Sequence, residues 1–214
     1  MAKNKFYAIR KGIKVGVFEE SWNEVNAKYI KGFSGAEFKG FSTREEAEEW
    51  FNGGQASVKE DEISPDTPII YVDGSYKDEQ IGYGLVYTRD GEEILRDCGR
   101  VVLSSNIISD LRNDNNNSNK DPRNVAGEIY GAIRAIQMGI ANGEKEIVIG
   151  YDYKGIECWI TKSWTPRSAY SKRYASYVES VKDRISIKFV YTKAHKGHKF
   201  NEIADKLAKL GTTL

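Results

Sequence analysis

The order of hydrophobic and polar positions divides the chain into two patterned regions joined by a polar stretch. In the first region, runs rich in aromatic and β-branched residues predict strands at 5–10, 15–18 and 36–41. Two capping-box sequences of the form Ser/Thr-x-x-Glu begin at Ser21 and Thr43, and each predicts the start of a helix. The first region is therefore expected to form a small ββαβα domain.

The second region has longer predicted strands and helices. Four consecutive β-prone residues at 69–72 predict a buried strand that stops at Asp73. The remaining predicted elements are strands at 82–88 and 92–103, a helix at 122–141, a strand at 146–151, short helices within 153–162 and 168–182, a strand at 185–191 and a helix from about Asn201. The helix at 122–141 is predicted to be a crossover, which makes the fourth strand a parallel neighbour of the first. The expected fold class is α/β, a five-stranded mixed sheet flanked by helices.

A polar, acidic stretch at 53–66 has no hydrophobic period and predicts a flexible linker between domains at 1–52 and 67–214. A flexible chain of this length spans roughly 20 Å, so both domains can act on one ligand. A second polar stretch, the Asn-rich 113–121, predicts a surface loop.

Composition narrows the class of protein. Hydrophobic residues make up 40% and charged residues 29% of the chain, which is typical of a globular protein. No apolar run has membrane-spanning length, and the first residues lack the apolar segment of a signal peptide, so no membrane association is expected. The two cysteines are too few for a disulfide framework, which favours the cytoplasm.

The net charge of +1 conceals an uneven distribution of basic residues. Between Ile160 and Phe200 there are ten Lys or Arg residues and only two acids, so this segment carries 10 − 2 = +8. Such a segment is either a solvated face or a surface that binds a polyanion.

Four carboxylates fall at informative positions of this pattern. Asp73 ends the first strand and Asp152 ends its parallel neighbour, so their side chains are expected side by side. Glu128 lies early in the crossover helix and Asp205 lies one turn into the last helix. Each alone could be a turn residue, an acid favoured near a helix N-terminus, or a solvated helix position. Together they predict a site for hard divalent cations such as Mg²⁺ or Mn²⁺, two of which, about 3.5–4 Å apart, can catalyse phosphodiester cleavage.

The motifs that contain these carboxylates resemble those of type 1 ribonucleases H, in order and in spacing, over about residues 67–212. They are Tyr71-Val72-Asp73-Gly74-Ser75, Asn124-Val125-Ala126-Gly127-Glu128, Tyr151-Asp152-Tyr153 and His195-Lys196-Gly197-His198 followed by Asn201-Glu202-Ile203-Ala204-Asp205. The resemblance implies Mg²⁺-dependent hydrolysis of the RNA strand of an RNA–DNA hybrid, with 5′-phosphate and 3′-hydroxyl ends.

The resemblance also implies roles for individual residues. It implies metal binding by Asp73, Glu128, Asp152 and Asp205, with Glu202 as an acid near the second ion. It implies that His195 assists proton transfer or product release. A histidine in a Lys-rich, Gly-containing loop is exposed and titrates near neutrality, which suits that role. We expect a structural role for the neighbouring His198 at the start of the last helix.

Recognition of the hybrid is expected beside the carboxylates, because the 2′-hydroxyl alone distinguishes the RNA backbone from DNA. The implied contacts come from Gly74, Ser75 and Asn124. Trp164 resembles the residue of the family that lies along the DNA strand, whereas Trp159 is expected in the core.

The first region resembles the hybrid-binding, or viroplasmin-like, domain found on some ribonucleases H. The matching residues are Phe6-Tyr7-Ala8-Ile9-Arg10-Lys11-Gly12, Gly16-Val17-Phe18, Trp22-Asn23-Glu24 and Phe38-Lys39-Gly40-Phe41. The resemblance implies packing of Tyr7, Trp22 and Phe38 against sugars of the DNA strand, and contact of Lys39 with a phosphate. Alternatively, Trp22 anchors the core of this small domain.

The sequence departs from the family patterns at two positions. Arg123 occupies the place of a threonine that often serves the family's phosphate pocket, and Gly40 the place of a second lysine of the binding domain. We expect a monomeric endoribonuclease that acts on RNA–DNA hybrids. One alternative is a non-catalytic protein that binds hybrids or double-stranded RNA on the same fold, and a second is another nuclease or an integrase with that fold.

Overall fold

The computed structural model describes residues 5–51, 58, 60–103, 121–192 and 197–214. The chain divides into two compact units, Met1–Ala56 and Ser57–Leu214. The predicted domain limits and the linker at 53–66 stay a prediction.

The first unit has the predicted ββαβα order. Its elements are strands β1 (Phe6–Lys11), β2 (Gly16–Phe18) and β3 (Glu37–Phe41), helix α1 (Trp22–Val25), which continues as a π-helix (Asn26–Ile30), and helix α2 (Arg44–Phe51). The antiparallel sheet has the order β2-β1-β3. Both capping boxes form; for example, the Ser21 backbone N–H donates to Glu24 at 3.1 Å.

The central strand β1 is buried on both faces, which gives this small unit its core. Ala8 packs with Ala47 of α2, whereas Ile9 packs with Val25 of α1 and Ile30 of the π-helix. Alternation along the strand sends successive side chains to opposite faces, so one strand serves both clusters.

The second unit contains the predicted five-stranded mixed sheet. Its strands are β4 (Ile69–Lys77), β5 (Gln80–Arg89), β6 (Glu92–Arg100), β7 (Glu146–Tyr151) and β8 (Ser186–Tyr191), in the order β6-β5-β4-β7-β8. Its helices are α3 (Pro122–Ala141), α4 (Gly155–Cys158), α5 (Ala169–Val181) and α6 (Lys199–Gly211). β4 is parallel to β7 and antiparallel to β5, which confirms the predicted crossover.

Strand β4 does not stop at Asp73 as expected but continues to Lys77. Strand β5 pairs with β4 along this whole length, and a tight turn with positive φ at Asp78 (48°) and Glu79 (62°) joins them. The parallel neighbour β7 pairs with β4 only as far as Tyr71. Asp73 therefore lies inside an antiparallel ladder but beyond the end of the parallel one.

Helices cover the two faces of the sheet unequally. The main core, which includes Ile70 and Val72 of β4, contains the buried apolar side chains of α3. The opposite face carries a smaller cluster of Tyr71, Val86, Phe200 and Ala204, formed with α6. Among the described residues, no helix combines the length and apolar character needed to cross a membrane.

Two glycines of α3, one turn apart, are expected to respond oppositely to substitution by alanine. A Cβ at Gly127 would lie 2.5 Å from the carbonyl oxygen of Gly82 and 2.9 Å from Cα of Gly74, both backbone atoms. A Cβ at Gly131 would lie at ordinary contact distances, the nearest being 3.4 Å from Cβ of Val72. We expect Gly127→Ala to lower the free energy of unfolding by about 3 kcal/mol, because the helix must move off the sheet.

The matched variant Gly131→Ala is expected to be neutral or to stabilise by up to about 1 kcal/mol, because alanine favours helix. Urea unfolding of both variants measures the difference. Equal effects of the two substitutions would contradict the close approach of α3 to β4 and β5.

Candidate metal centre and nucleic-acid interface

The structure brings together three of the predicted carboxylates. One ligand oxygen each from Asp73, Glu128 and Asp152 lies within 4.8 Å of the others. Asp73 and Glu128 are buried, with exposures of 7% and 1%, and Asp152 is half-buried. The cluster therefore has two buried carboxylates and one half-buried carboxylate, and it lies beyond the end of the β4–β7 ladder.

Three elements deliver these carboxylates. Asp73 extends past the end of the β4–β7 ladder, and Asp152 directly follows the last residue of β7. Glu128 reaches the same place because α3 lies almost directly on β4, where a Cβ at Gly74 would be 2.3 Å from the Glu128 backbone nitrogen. Only glycine at position 74 permits this approach.

The chemistry of this donor set fits a hard divalent cation. Carboxylates this close repel one another, and burial makes their negative charge more costly unless positive charge compensates it. All the clustered ligand atoms are carboxylate oxygens, the donors that Mg²⁺ and Mn²⁺ prefer over softer metals. These three residues could therefore hold the metal that the sequence predicts.

The other predicted acids are not part of this cluster. Asp205 lies in α6, half-buried, and its carboxylate accepts a hydrogen bond from Lys209 at 2.6 Å. Glu202 lies in the first turn of α6 and is exposed. The metal-binding role of Asp205 and the role of Glu202 remain predictions. The pairing of Lys209 with Asp205 was not predicted from the sequence, although their i,i+4 spacing is the signal of such an ion pair on a helix.

The predicted histidine His195 lies outside the described residues, and so does most of the Asn-rich loop at 113–121. His198 is described and caps α6: its Nδ1 accepts a hydrogen bond from the backbone N–H of Asn201 at 3.4 Å. This contact agrees with the structural role expected for His198.

The predicted hybrid-recognition residues Gly74 and Asn124 lie against one another beside Glu128. A Cβ at Gly74 would be 2.3 Å from the carbonyl oxygen of Asn124. Ser75 follows in β4 and is half-buried. The departure at Arg123 has a structural partner, because its guanidinium stacks 3.9 Å from the ring centroid of Tyr76 and donates to the Tyr76 hydroxyl at 2.8 Å. No sequence spacing predicts that pair.

The two tryptophans after β7 differ in burial. Trp159 is 7% exposed and belongs to the main core, as expected. Trp164 is half-buried, with its ring edge-on to Tyr153 at 6.4 Å between centroids. Its predicted place along the DNA strand stays a prediction.

The described basic residues of the positively charged segment all face solvent. They are Lys162, Arg167, Lys172, Arg173, Lys182, Arg184, Lys188 and Lys199. Two of them form surface ion pairs, Lys182 with Glu179 and Lys188 with Glu146, so part of the segment's charge is neutralised locally.

In the first unit, the three predicted aromatic residues form a continuous partly exposed surface, which we call the aromatic trio. Ring centroids of Tyr7 and Trp22 are 5.3 Å apart, and those of Trp22 and Phe38 are 5.0 Å apart. Trp22 is 36% and Phe38 40% exposed, and the neighbouring Lys39 is exposed as well. Val25, fully buried, anchors α1 in the core instead of Trp22.

Comparison with known protein families gives one match in each of the two units of the chain. The family model described as the ribonuclease H1 N-terminal domain matches residues 5–51. The ribonuclease H family model matches residues 65–213, more than half of the chain.

Solved structures with a similar fold include three ribonucleases H. Ribonuclease H1 of the archaeon Halobacterium salinarum NRC-1 is 16% identical, with a TM-score of 0.53 over 68% of this chain and 96% of that one. LC11 ribonuclease H1, isolated from compost by a metagenomic approach and solved with an RNA/DNA hybrid, is 16% identical, with a TM-score of 0.50 over 67% and 98%. The N-terminal ribonuclease H domain of a Mycobacterium tuberculosis protein is 12% identical, with a TM-score of 0.52 over 69% and 97%. At these identities the similarity establishes the fold.

Proposed function

Because the chain belongs to the ribonuclease H family, we propose that it is an endoribonuclease that hydrolyses the RNA strand of RNA–DNA hybrids. The observation that carries the proposal is the cluster of Asp73, Glu128 and Asp152, a carboxylate set suited to divalent cations in a chain of this family. A protein that only bound hybrids would have no need of two buried acids beside a third.

Two Mg²⁺ ions, for which Mn²⁺ can substitute, are the proposed cofactors. Asp73, Glu128 and Asp152 would hold them, with Asp205 as a fourth ligand from α6. When bound, such ions activate a water molecule and stabilise the leaving oxygen, which yields 5′-phosphate and 3′-hydroxyl ends.

The side chains of the site would orient the ligands and move protons. The buried position of Glu128 fixes its orientation from α3, and Asp73 is fixed by the β4–β5 ladder. Such preorganisation lowers the cost of assembling the site when substrate binds. Glu202, at the solvent-exposed start of α6, and His195 are proposed to move protons or assist product release.

Recognition of RNA is proposed at Gly74, Ser75 and Asn124, beside the carboxylates. A serine hydroxyl and backbone groups can hydrogen-bond a ribose 2′-hydroxyl, which DNA lacks. Trp164 is proposed to lie along the DNA strand. The related LC11 enzyme was solved with an RNA/DNA hybrid, which supports the same class of ligand for this chain.

The first unit is proposed to bind the same hybrid through the aromatic trio and Lys39. Exposed aromatic side chains gain from packing against sugars or bases, and a neighbouring lysine gains from contact with phosphate. We further propose that the chain acts as a monomer in the cytoplasm, where its two free cysteines, Cys98 and Cys158, would stay reduced.

A cleavage assay tests this function. We expect cleavage of the RNA strand of a labelled RNA–DNA hybrid with Mg²⁺, and at least about a hundredfold slower cleavage of double-stranded RNA and double-stranded DNA. Removal of the cation with EDTA is expected to stop cleavage, and renewed Mg²⁺ to restore it. Binding of hybrid without cleavage in Mg²⁺ or Mn²⁺ would favour the non-catalytic alternative.

A further inference from the structure

A hydrogen-bonded group of three side chains lies outside the carboxylate site and joins three parts of the second unit. We call residues 60–67 the lead-in segment, which begins with a 3₁₀ helix at Glu60–Glu62 and precedes β4. The carboxylate of Glu60 accepts a hydrogen bond from the Tyr71 hydroxyl, and its Oε1 lies 2.9 Å from Nε2 of His198. The Tyr71 and His198 rings are in contact, with centroids 4.8 Å apart. Glu60 thus bridges β4 and the start of α6.

The hydrogen-bonding roles of this group are complementary. Nδ1 of His198 accepts from the backbone N–H of Asn201, so the ring proton lies on Nε2 and is donated to Glu60. The hydrogen bond from His198 is the main cause that lowers the pKa of Glu60, and the bond from Tyr71 adds to it, against the effect of burial. Burial, and then the bond to Glu60, raise the pKa of Tyr71. Glu60 therefore remains an acceptor and Tyr71 a donor at neutral pH.

The two elements that Glu60 bridges both carry proposed metal ligands. Tyr71 is two residues before Asp73 in β4, and alternation places both side chains on the same face of the strand. His198 is seven residues before Asp205, which is about two turns of α6. The position of α6 along β4 thus sets the distance between Asp205 and the Asp73 cluster.

The start of α6 also meets β4 in a ring contact beside the hydrogen-bonded group. Phe200 stacks on Tyr71 at 5.5 Å between ring centroids. A cavity of about 410 Å³ adjoins this contact, and Glu60, Tyr71, His198 and Phe200 are among its lining residues. Directional hydrogen bonds to Glu60 add to this ring contact in fixing the start of α6 against β4.

We infer that Glu60 is a positioning residue for the proposed nuclease site. It holds α6, which carries Asp205, in register with β4, which carries Asp73. The inference rests on the proposed function. Glu60 lies before residue 65, where the ribonuclease H family match begins, whereas Tyr71 and His198 lie within the match.

Kinetics of the full-length chain test the inference. We expect Glu60→Ala to lower kcat for hybrid cleavage about fivefold, with KM changed less than about twofold, because a displaced Asp205 affects the reaction more than binding. Glu60→Gln is expected to recover most of the rate, since its amide oxygen can accept the same two hydrogen bonds. The matched control is Glu62→Ala, which removes an exposed acid from the same 3₁₀ turn and is expected to leave kcat unchanged.

Ring NMR of the histidines provides a readout that needs neither substrate nor metal. The chain has two histidines, so the ring spectrum is simple, and a His198→Ala variant assigns it. Glu60→Ala is expected to shift the His198 ring signals, whereas Glu62→Ala leaves them in place. Thermal unfolding of Glu60→Gln shows that the rescued chain is folded.

The possible outcomes separate this inference from the function on which it rests. If the wild-type chain cleaves hybrids and Glu60→Ala has the same kcat, the positioning role is wrong although the function stands. A lowered Tm with unchanged kcat would reduce Glu60 to a purely stabilising residue and would also overturn the inference. A wild-type chain that cleaves no hybrid would overturn the proposed function, and the positioning role of Glu60 with it.

Discussion

An Asp73→Asn variant is expected to lose Mg²⁺-dependent cleavage of an RNA–DNA hybrid by about a thousandfold or more. The substitution keeps the size of the side chain but removes its negative charge and one of its two acceptor oxygens. Asp73 is buried within the carboxylate cluster, so water cannot replace the lost ligand at low cost. Single-turnover cleavage of a labelled hybrid measures the loss.

Hybrid affinity separates a catalytic role of Asp73 from a structural one. We expect the Kd of Asp73→Asn to stay within about threefold of wild type, because most binding energy comes from contacts with the nucleic-acid backbone. Asp183→Asn is a matched control, since Asp183 is exposed after the end of α5. Equal loss of cleavage and affinity in Asp73→Asn would mean that the substitution disrupts the fold.

A Trp22→Ala variant is expected to weaken hybrid binding by about tenfold, the second largest effect. Trp22 is the centre of the aromatic trio, in ring contact with Tyr7 and Phe38, so its removal breaks the exposed surface into two parts. Loss of one aromatic contact with nucleic acid typically costs about 1–3 kcal/mol. Fluorescence anisotropy with a labelled hybrid measures the Kd, and kcat is expected to stay within about twofold.

Two further variants identify the origin of that loss. Phe33→Ala removes another exposed aromatic residue from the same unit, from the turn after the π-helix, and is expected to leave the Kd unchanged. Lys39→Ala is expected to reduce the slope of the logarithm of the binding constant against the logarithm of the salt concentration by about one unit. Trp22→Ala is expected to leave that slope unchanged. If Trp22→Ala has wild-type affinity, the trio does not form the binding surface.

The sequence predicted the fold closely because its strongest signals are local. Two capping boxes, the four β-prone residues at 69–72 and the apolar period of the crossover helix each act within a few residues. The predicted end of β4 at Asp73 was wrong for a non-local reason. Pairing with β5 extends the strand to Lys77, and a partner strand outweighs the turn preference of Asp-Gly.

The candidate site was predictable in composition but less so in arrangement. Parallel pairing of β4 with β7 brings Asp73 to Asp152, as the crossover implied. The approach of Glu128 depends on Gly74 and Gly127, whose roles become clear only when the helix backbone is seen against the sheet. The contact of Glu60 with His198 spans 138 residues of sequence, and no motif connects the two.

The sequence by itself determined the order of elements, the acids available for a metal and the aromatic residues of the first unit. Those features depend on hydrophobic period, capping and residue chemistry, which act within a few residues of one another. Only the tertiary structure decided that Trp22 is exposed while Val25 fills the core, and that Asp205 pairs with Lys209 while three other acids form the cluster. It also decided that Glu60 bridges β4 and α6. These outcomes depend on how closely separate backbones approach, and that distance is set by the packing of the whole unit.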